Sequence, residues 1–202
     1  MKILLTGFDP FGGEPVNPAY EAVRRTAAPD GVQLIKLKVP TVFGTSASVL
    51  EKAAAENRPD AIVMVGQAGG RRGVTVERLA VNLMDASICD NAGRMPVDEP
   101  ILPGGENALF STLPVKKIIA AISASGVEAR LSNTAGTFVC NQLLYSALAL
   151  CKNRFPGTAA GFIHLPFLPA QTVSRPNLPS MPLEQMVTAL EAALNCIAKS
   201  CI

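Results

Sequence analysis

The chain of 202 residues has no tryptophan, two tyrosines, one histidine and charged residues at only 17% of positions. Soluble domains carry roughly 25% charged residues, so this surface is poor in charge, while 49% hydrophobic residues excludes a disordered chain. No block of five or six like charges occurs. The 18 basic and 16 acidic residues are spread evenly and leave a formal net charge of +2, which excludes an electrostatic grip on nucleic acid or a membrane surface. The pairs Arg24-Arg25 and Lys116-Lys117 read as solvated surface. Long hydrophobic runs are missing too: Ile3-Leu4-Leu5 is too short for a signal-peptide core, and nothing approaches the ~18 residues of a membrane span. A soluble, cytoplasmic protein is expected. Cys89, Cys140, Cys151, Cys196 and Cys201 are odd in number and lack CxxC spacing, and His164 is the only imidazole. A disulfide scaffold and a structural zinc site are both poorly supported.

What is present is an alternation of short β-branched runs with segments of helical period. It predicts strands at Lys2–Thr6, Val32–Val39, Ala61–Val65, Val74–Ala80, Val127–Leu131 and Ala159–Ile163. Helices are predicted at Pro18–Thr26, Phe43–Asn57, Leu113–Ser125, Phe138–Lys152 and Leu183–Lys199. This is the pattern of an α/β protein, a single-domain α/β/α sandwich over residues 1–202 with a twisted, mostly parallel open sheet. Two long stretches, Asp85 to Asn107 and Leu165 to Pro182, are rich in Gly and Pro and read as binding elements or lids. The last helix is amphipathic and reads as packing on the sheet.

Sites in open α/β sheets form at the carboxyl ends of strands. After the first strand, Gly7 to Gly13 lacks both GxGxxG and GK[ST], so no phosphate loop is supported; Phe8 and Phe11 there are either a pocket wall or core. The glycine-rich turn Gly66 to Gly73 has the backbone to cradle an anion. Beyond it, Glu77 shares a strand face with Thr75, as a surface residue or as a buried carboxylate holding a cation or imidazole. Cys140 opens a helix, where the dipole favours the reactive thiolate, although most buried cysteines are inert. His164 follows a strand. Together Cys140, His164 and Glu77 meet the needs of nucleophile, base and orienting carboxylate. A non-catalytic binding module for a small anion or lactam stays open on these residues. A phosphate-using enzyme of similar fold is disfavoured by the missing fingerprint.

These segments resemble the pyroglutamyl peptidase I family. The likeness runs from GFDPFGG (7–13) and VNP (16–18) through GQAGGRRGVTVERLAVN (66–82), VDEPILPGG (97–105) and SNTAGTFVCN (132–141) to GFIHLP (161–166). The resemblance implies a phosphorylase/hydrolase-like fold and a cysteine peptidase that removes N-terminal pyroglutamate through an acyl-thioester. Cys140 would be the nucleophile, His164 the base and acid, and Glu77 the orienting residue. It implies an apolar sleeve for the lactam at Phe8, Phe11, Phe138 and Val139, with polar contacts from Asn17 and Gln67. It implies neither metal nor organic cofactor, a dependence on reducing conditions, and a homo-oligomer, dimer or tetramer. One departure stands out: many relatives carry arginine ten residues after the glutamate, where this chain has Ser87. Arg71, Arg72 and Arg94 are the available substitutes.

Overall fold

The computed structural model describes residues 1–200; Cys201 lies outside them. In chain order the elements are β1 (Lys2–Phe8), α1 (Pro18–Arg25), β2 (Gln33–Val39), α2 (Thr45–Asn57), β3 (Ala61–Gln67), β4 (Val74–Glu77), β5 (Leu79–Val81), β6 (Ala108–Phe110), α3 (Val115–Ala124), β7 (Ala129–Ser132), α4 (Val139–Arg154), β8 (Ala159–Leu165) and α5 (Leu183–Ser200). β1, β3 and β8 are buried on both faces along almost their whole length, as strands in the middle of a covered sheet must be.

Six strands form one sheet in the order β2-β1-β3-β8-β4-β7. β2, β1, β3 and β8 are mutually parallel; β4 runs antiparallel to β8 and parallel to β7. One face packs against α1, α3 and α5, the other against α2 and α4. The expected single-domain sandwich with a mostly parallel open sheet is therefore what forms.

Several boundaries differ from the expectation for local reasons. The single strand predicted over Val74–Ala80 breaks at Arg78, whose N–H donates to Ser132 and whose carbonyl accepts from Ser111; the chain leaves the main sheet there, and β5 pairs with β6 in a two-stranded sheet. α2 starts at Thr45 rather than Phe43 because Gly44 sits at φ 76°, a left-handed conformation that ends the preceding turn. Phe43 is thereby left outside the helix. His164 lies inside β8 rather than after it. The two long stretches are packed: Met84 bridges to Glu99 and Phe167 to Ser180. No described helix is long and apolar enough to cross a membrane.

Candidate active site

The direction of the sheet reverses between β8 and β4, and the candidate residues gather at that seam. On β8, Phe162 faces the α2/α4 side while Ile163 and Leu165 face the other. Residues alternate along a strand, so His164 shares the face of Phe162, and on β4 Thr75 and Glu77 share it too. Thr75 is the antiparallel partner of His164, which puts Glu77 on the diagonal within side-chain reach. The imidazole Nδ1 lies 2.8 Å from Glu77 Oε1, with Glu77 0% and His164 3% exposed. Of the two readings of Glu77, the buried one holds.

A carboxylate can only accept, so Nδ1 carries the proton and donates it to Oε1, leaving Nε2 as the basic nitrogen. Burial pushes the Glu77 carboxyl up, but the hydrogen bonds and attraction of His164, with the Arg71 contact, hold it below its ordinary value. Burial pushes the His164 imidazole below its ordinary value against the pull of Glu77, and the Arg71 charge lowers it further. Both shifts favour an ionised carboxylate beside an uncharged ring.

Cys140 arrives from the opposite layer, second residue of α4. No side chain caps the first turn of this helix at Phe138, so the N–H groups there remain open to a ligand oxygen. Sγ rests on the backbone of Gly66: a Cβ at Gly66 would meet it at 2.9 Å and the Phe162 ring at 2.8 Å. Gly66 is the parallel register partner of His164, so thiol and imidazole sit over neighbouring strand positions. Burial pushes the Cys140 thiol up to about 12, the Glu77 charge adds to this, and the Arg71 charge offsets only part. Helix start and burial act in opposite directions here, and burial wins.

Phe11 and Phe138, both partly exposed, face each other at 6.0 Å between ring centroids, and Phe43 meets Phe138 edge-on at 5.2 Å. Phe8 is 2% exposed and lies beneath, 6.3 Å from Phe162; Val139 is fully buried under the same cluster. Gln67 accepts from Gln171 at 3.0 Å and keeps its own amide donor. Asn17 accepts from Ala19 N–H as the cap of α1 and donates to the Asp9 carbonyl at 2.8 Å, so its first task is to fix the loop that carries Phe11.

The family model described as pyroglutamyl peptidase matches residues 1–200. The chain belongs to the pyroglutamyl peptidase family. It is accordingly a peptidase of the cysteine type. A pyrrolidone-carboxylate peptidase of Streptococcus suis is 51% identical over 202 residues, 98% of this chain and 93% of that one. One of Lactobacillus johnsonii is 52% identical over 200 residues, again 98% of this chain and 93% of the other. Among solved structures, pyroglutamyl peptidase I of Bacillus amyloliquefaciens superposes with TM-score 0.95 at 46% identity, covering 98% and 97% of the two chains. A mutant pyrrolidone carboxyl peptidase of Pyrococcus furiosus superposes with TM-score 0.95 at 38% identity, covering 99% of each.

In this member of the family, Ser87 and Arg72 are both exposed. Arg94 pairs with Glu99 at 2.5 Å and lies 5.8 Å from the Phe43 ring centre. Only Arg71 reaches the Glu77–His164 pair, at 2.6 Å from Oε1. Sequence reasoning gave no specific argument for Arg71 because its contact crosses a turn. It missed three more residues. Phe43 was assigned to a helix. Gln171 lies in a proline-rich stretch without periodicity. Fully buried Asn141 donates to the carbonyls of Val81 and Leu83 and accepts from Val81 N–H, pinning the start of α4. Its signal was faint: asparagine is a poor helix former in a first turn unless its side chain is engaged.

Proposed function

We propose that the protein hydrolyses the bond after an N-terminal pyroglutamyl residue, with Cys140 as nucleophile, His164 as general base and acid, and Glu77 as the group that fixes the ring. The observation that carries this reading is the only imidazole in the chain, hydrogen-bonded to a fully buried carboxylate on the sheet face where the Cys140 sulfur lies. The neutral thiol and neutral imidazole make proton transfer part of the attack. Nε2 takes the thiol proton as sulfur bonds to the pyroglutamyl carbonyl carbon, and the carbonyl oxygen becomes an oxyanion facing the first-turn N–H groups of α4. The C–N bond then breaks, Nε2 returns its proton to the leaving amine, and a thioester remains. Water, deprotonated by His164, attacks the thioester; pyroglutamate leaves and the thiol is restored.

Phe8, Phe11, Phe138 and Val139 supply the apolar sleeve for the five-membered ring. The Gln67 amide and the remaining N–H of Asn17 are the donors for its lactam carbonyl. A site with such donors discriminates against plain proline, which would leave them unpaired. The substrates are thus N-terminally pyroglutamylated peptides, handled without metal or organic cofactor. The reading extends to a cytoplasmic site of action, where thiols are kept reduced, and to a homo-oligomer, dimer or tetramer, in keeping with exposed Met95, Val97 and Phe110. A light-scattering mass equal to one chain at micromolar concentration would remove the oligomer.

The deciding experiment compares amine release from pyroglutamyl and prolyl amides by wild type and Cys140→Ser in reducing buffer. Release from the pyroglutamyl amide alone, lost in the folded serine variant, is expected. Equal cleavage of the prolyl amide, or full activity in the variant, overturns the reading.

A further inference from the structure

Glu77 is completely buried and carries its contacts on one oxygen. Among the described residues Oε2 has no hydrogen-bond partner, while Oε1 receives both His164 Nδ1 and Arg71 Nη1. A buried carboxylate beside a neutral ring needs a counter-charge, and Arg71 is the cation in contact with it. Its position follows from the turn between β3 and β4: Gly70 at φ 85° reverses the chain, and Arg71 N–H closes the turn on the Ala68 carbonyl. The side chain then runs back over β4. Nη1 also donates to Thr75 Oγ1, the register partner of His164, and Nη2 donates to the Thr134 carbonyl at 3.1 Å. Thr134 belongs to the loop that leads from β7 into α4 and Cys140. One planar guanidinium, 29% exposed, therefore joins the carboxylate, the strand beside the imidazole and the approach to the nucleophile. This fork is a geometry that lysine does not reproduce.

We propose that Arg71 is a positioning residue of this site, which frames the Glu77 carboxylate against the loop before Cys140 and serves as the counter-charge that shares its Oε1 with the imidazole. The proposal rests on the reading that His164 and Cys140 exchange a proton. Beside the imidazole stand Glu77 and Thr75 from β4, Arg71 from the β3–β4 turn and Phe162 from β8 itself; β3 presents uncharged Gly66 at the register position, with the Cys140 sulfur of α4 over it. Because Arg71 and His164 share Oε1, the guanidinium draws on the negative charge that would otherwise favour the imidazolium. Removing it makes His164 more basic and the thiol harder to ionise.

The chain's single histidine allows a direct test: proton NMR of tag-free protein follows one imidazole through its titration, whether or not the protein turns over substrate. In Arg71→Met and Arg71→Gln the midpoint is expected to rise by about 0.5–1 pH unit, and the acid limb of kcat/KM to move in the same direction. kcat at the optimum falls about 10- to 100-fold as the frame loosens. Arg71→Lys returns the midpoint to within about 0.3 unit of wild type with only part of kcat restored. Arg71→Gln keeps hydrogen-bonding capacity and carries the test if the methionine variant is poorly folded. A folded neutral variant with an unmoved midpoint overturns the proposal, even if its Tm drops, since a residue that merely stabilises the fold leaves the titration alone. Failure of wild type to cleave pyroglutamyl amides would sink the peptidase reading while leaving the titration to judge Arg71.

Discussion

At position 66 the absence of a side chain is what lets the sulfur of Cys140 and the ring of Phe162 share the same space above β3. Gly66→Ala is expected to displace one or both, at about 1–3 kcal/mol of stability and, because sulfur is the reacting atom, about 100-fold in kcat/KM. Chemical denaturation alongside kinetics checks both; an alanine variant with wild-type kcat/KM would show that the thiol has another seat. Glu77→Gln keeps the shape but exchanges an acceptor-only group for an amide. The ring loses the partner that fixes its tautomer and supports its charged form, and kcat should fall by about 10²–10⁴, with Arg71 left facing a neutral group. At this scale the sequence was informative where scarcity narrowed the choice: one histidine, and one cysteine at a helix start. It was ambiguous at Glu77, since alternation assigns a face without saying what covers that face. It gave nothing specific on Arg71, whose contacts to Glu77 and Thr134 exist only once β4 and the loop into α4 are side by side.

Elements hold the aromatic wall through carboxylates that accept from backbone. Asp90 takes the N–H groups of Phe43, Ala92 and Arg94 at 2.8, 2.9 and 2.9 Å, and Asp9 takes the N–H and hydroxyl of Thr41, each at 2.7 Å. Burial pushes the Asp90 carboxyl up, but the backbone donors hold it below its ordinary value. A carboxyl depressed in the folded state contributes stability that is fully present above its unfolded value, about 3.9, and is lost as pH falls through the lower folded value. The wall formed by Phe43 and Phe138 should therefore persist through mildly acidic solution and loosen only below the ordinary aspartate range. Asp90→Ala brings that loss to neutral pH, with about 1.5–3 kcal/mol of destabilisation and a rise in KM for pyroglutamyl amides larger than the fall in kcat. Thermal melts as a function of pH, in wild type and variant, check it: curves that stay parallel down to strong acid would rule Asp90 out as the source. Central strands and amphipathic helices were legible because burial writes a period into the sequence. The break at Arg78 was not, because the alternating pattern continues across it while the hydrogen-bonding partners change from β7 and β8 to β6, a choice made by distant residues.

For the molecule as a whole, the sheet separates stability from chemistry. The face covered by α1, α3 and α5 holds Met186, Leu190, Leu194 and Ile197 of α5 against Ile3, Val63 and Ile163, with none of the candidate catalytic residues among them. The other face, under α2 and α4, holds Phe8, Phe162 and Val139, and the Phe162 ring lies tilted against the ring of His164, 4.6 Å between centroids. Equal losses of packing on the two faces should have unequal effects on activity. Leu190→Ala empties a fully buried position and is expected to cost about 2–4 kcal/mol, lowering Tm by about 5–15 °C. Well below that Tm, kcat/KM should stay within about twofold of wild type, since a void beneath α5 leaves the opposite face of β8 in place. Phe162→Leu removes less volume, yet it withdraws the ring that flanks both the imidazole and the Gly66 seat, so kcat should drop about tenfold or more for a smaller change in Tm. Scanning calorimetry and steady-state kinetics on the two variants decide it. If Leu190→Ala lost activity in proportion to its stability, the sheet would be transmitting strain from one face to the other, and the division between a stabilising layer and a chemical layer would fail.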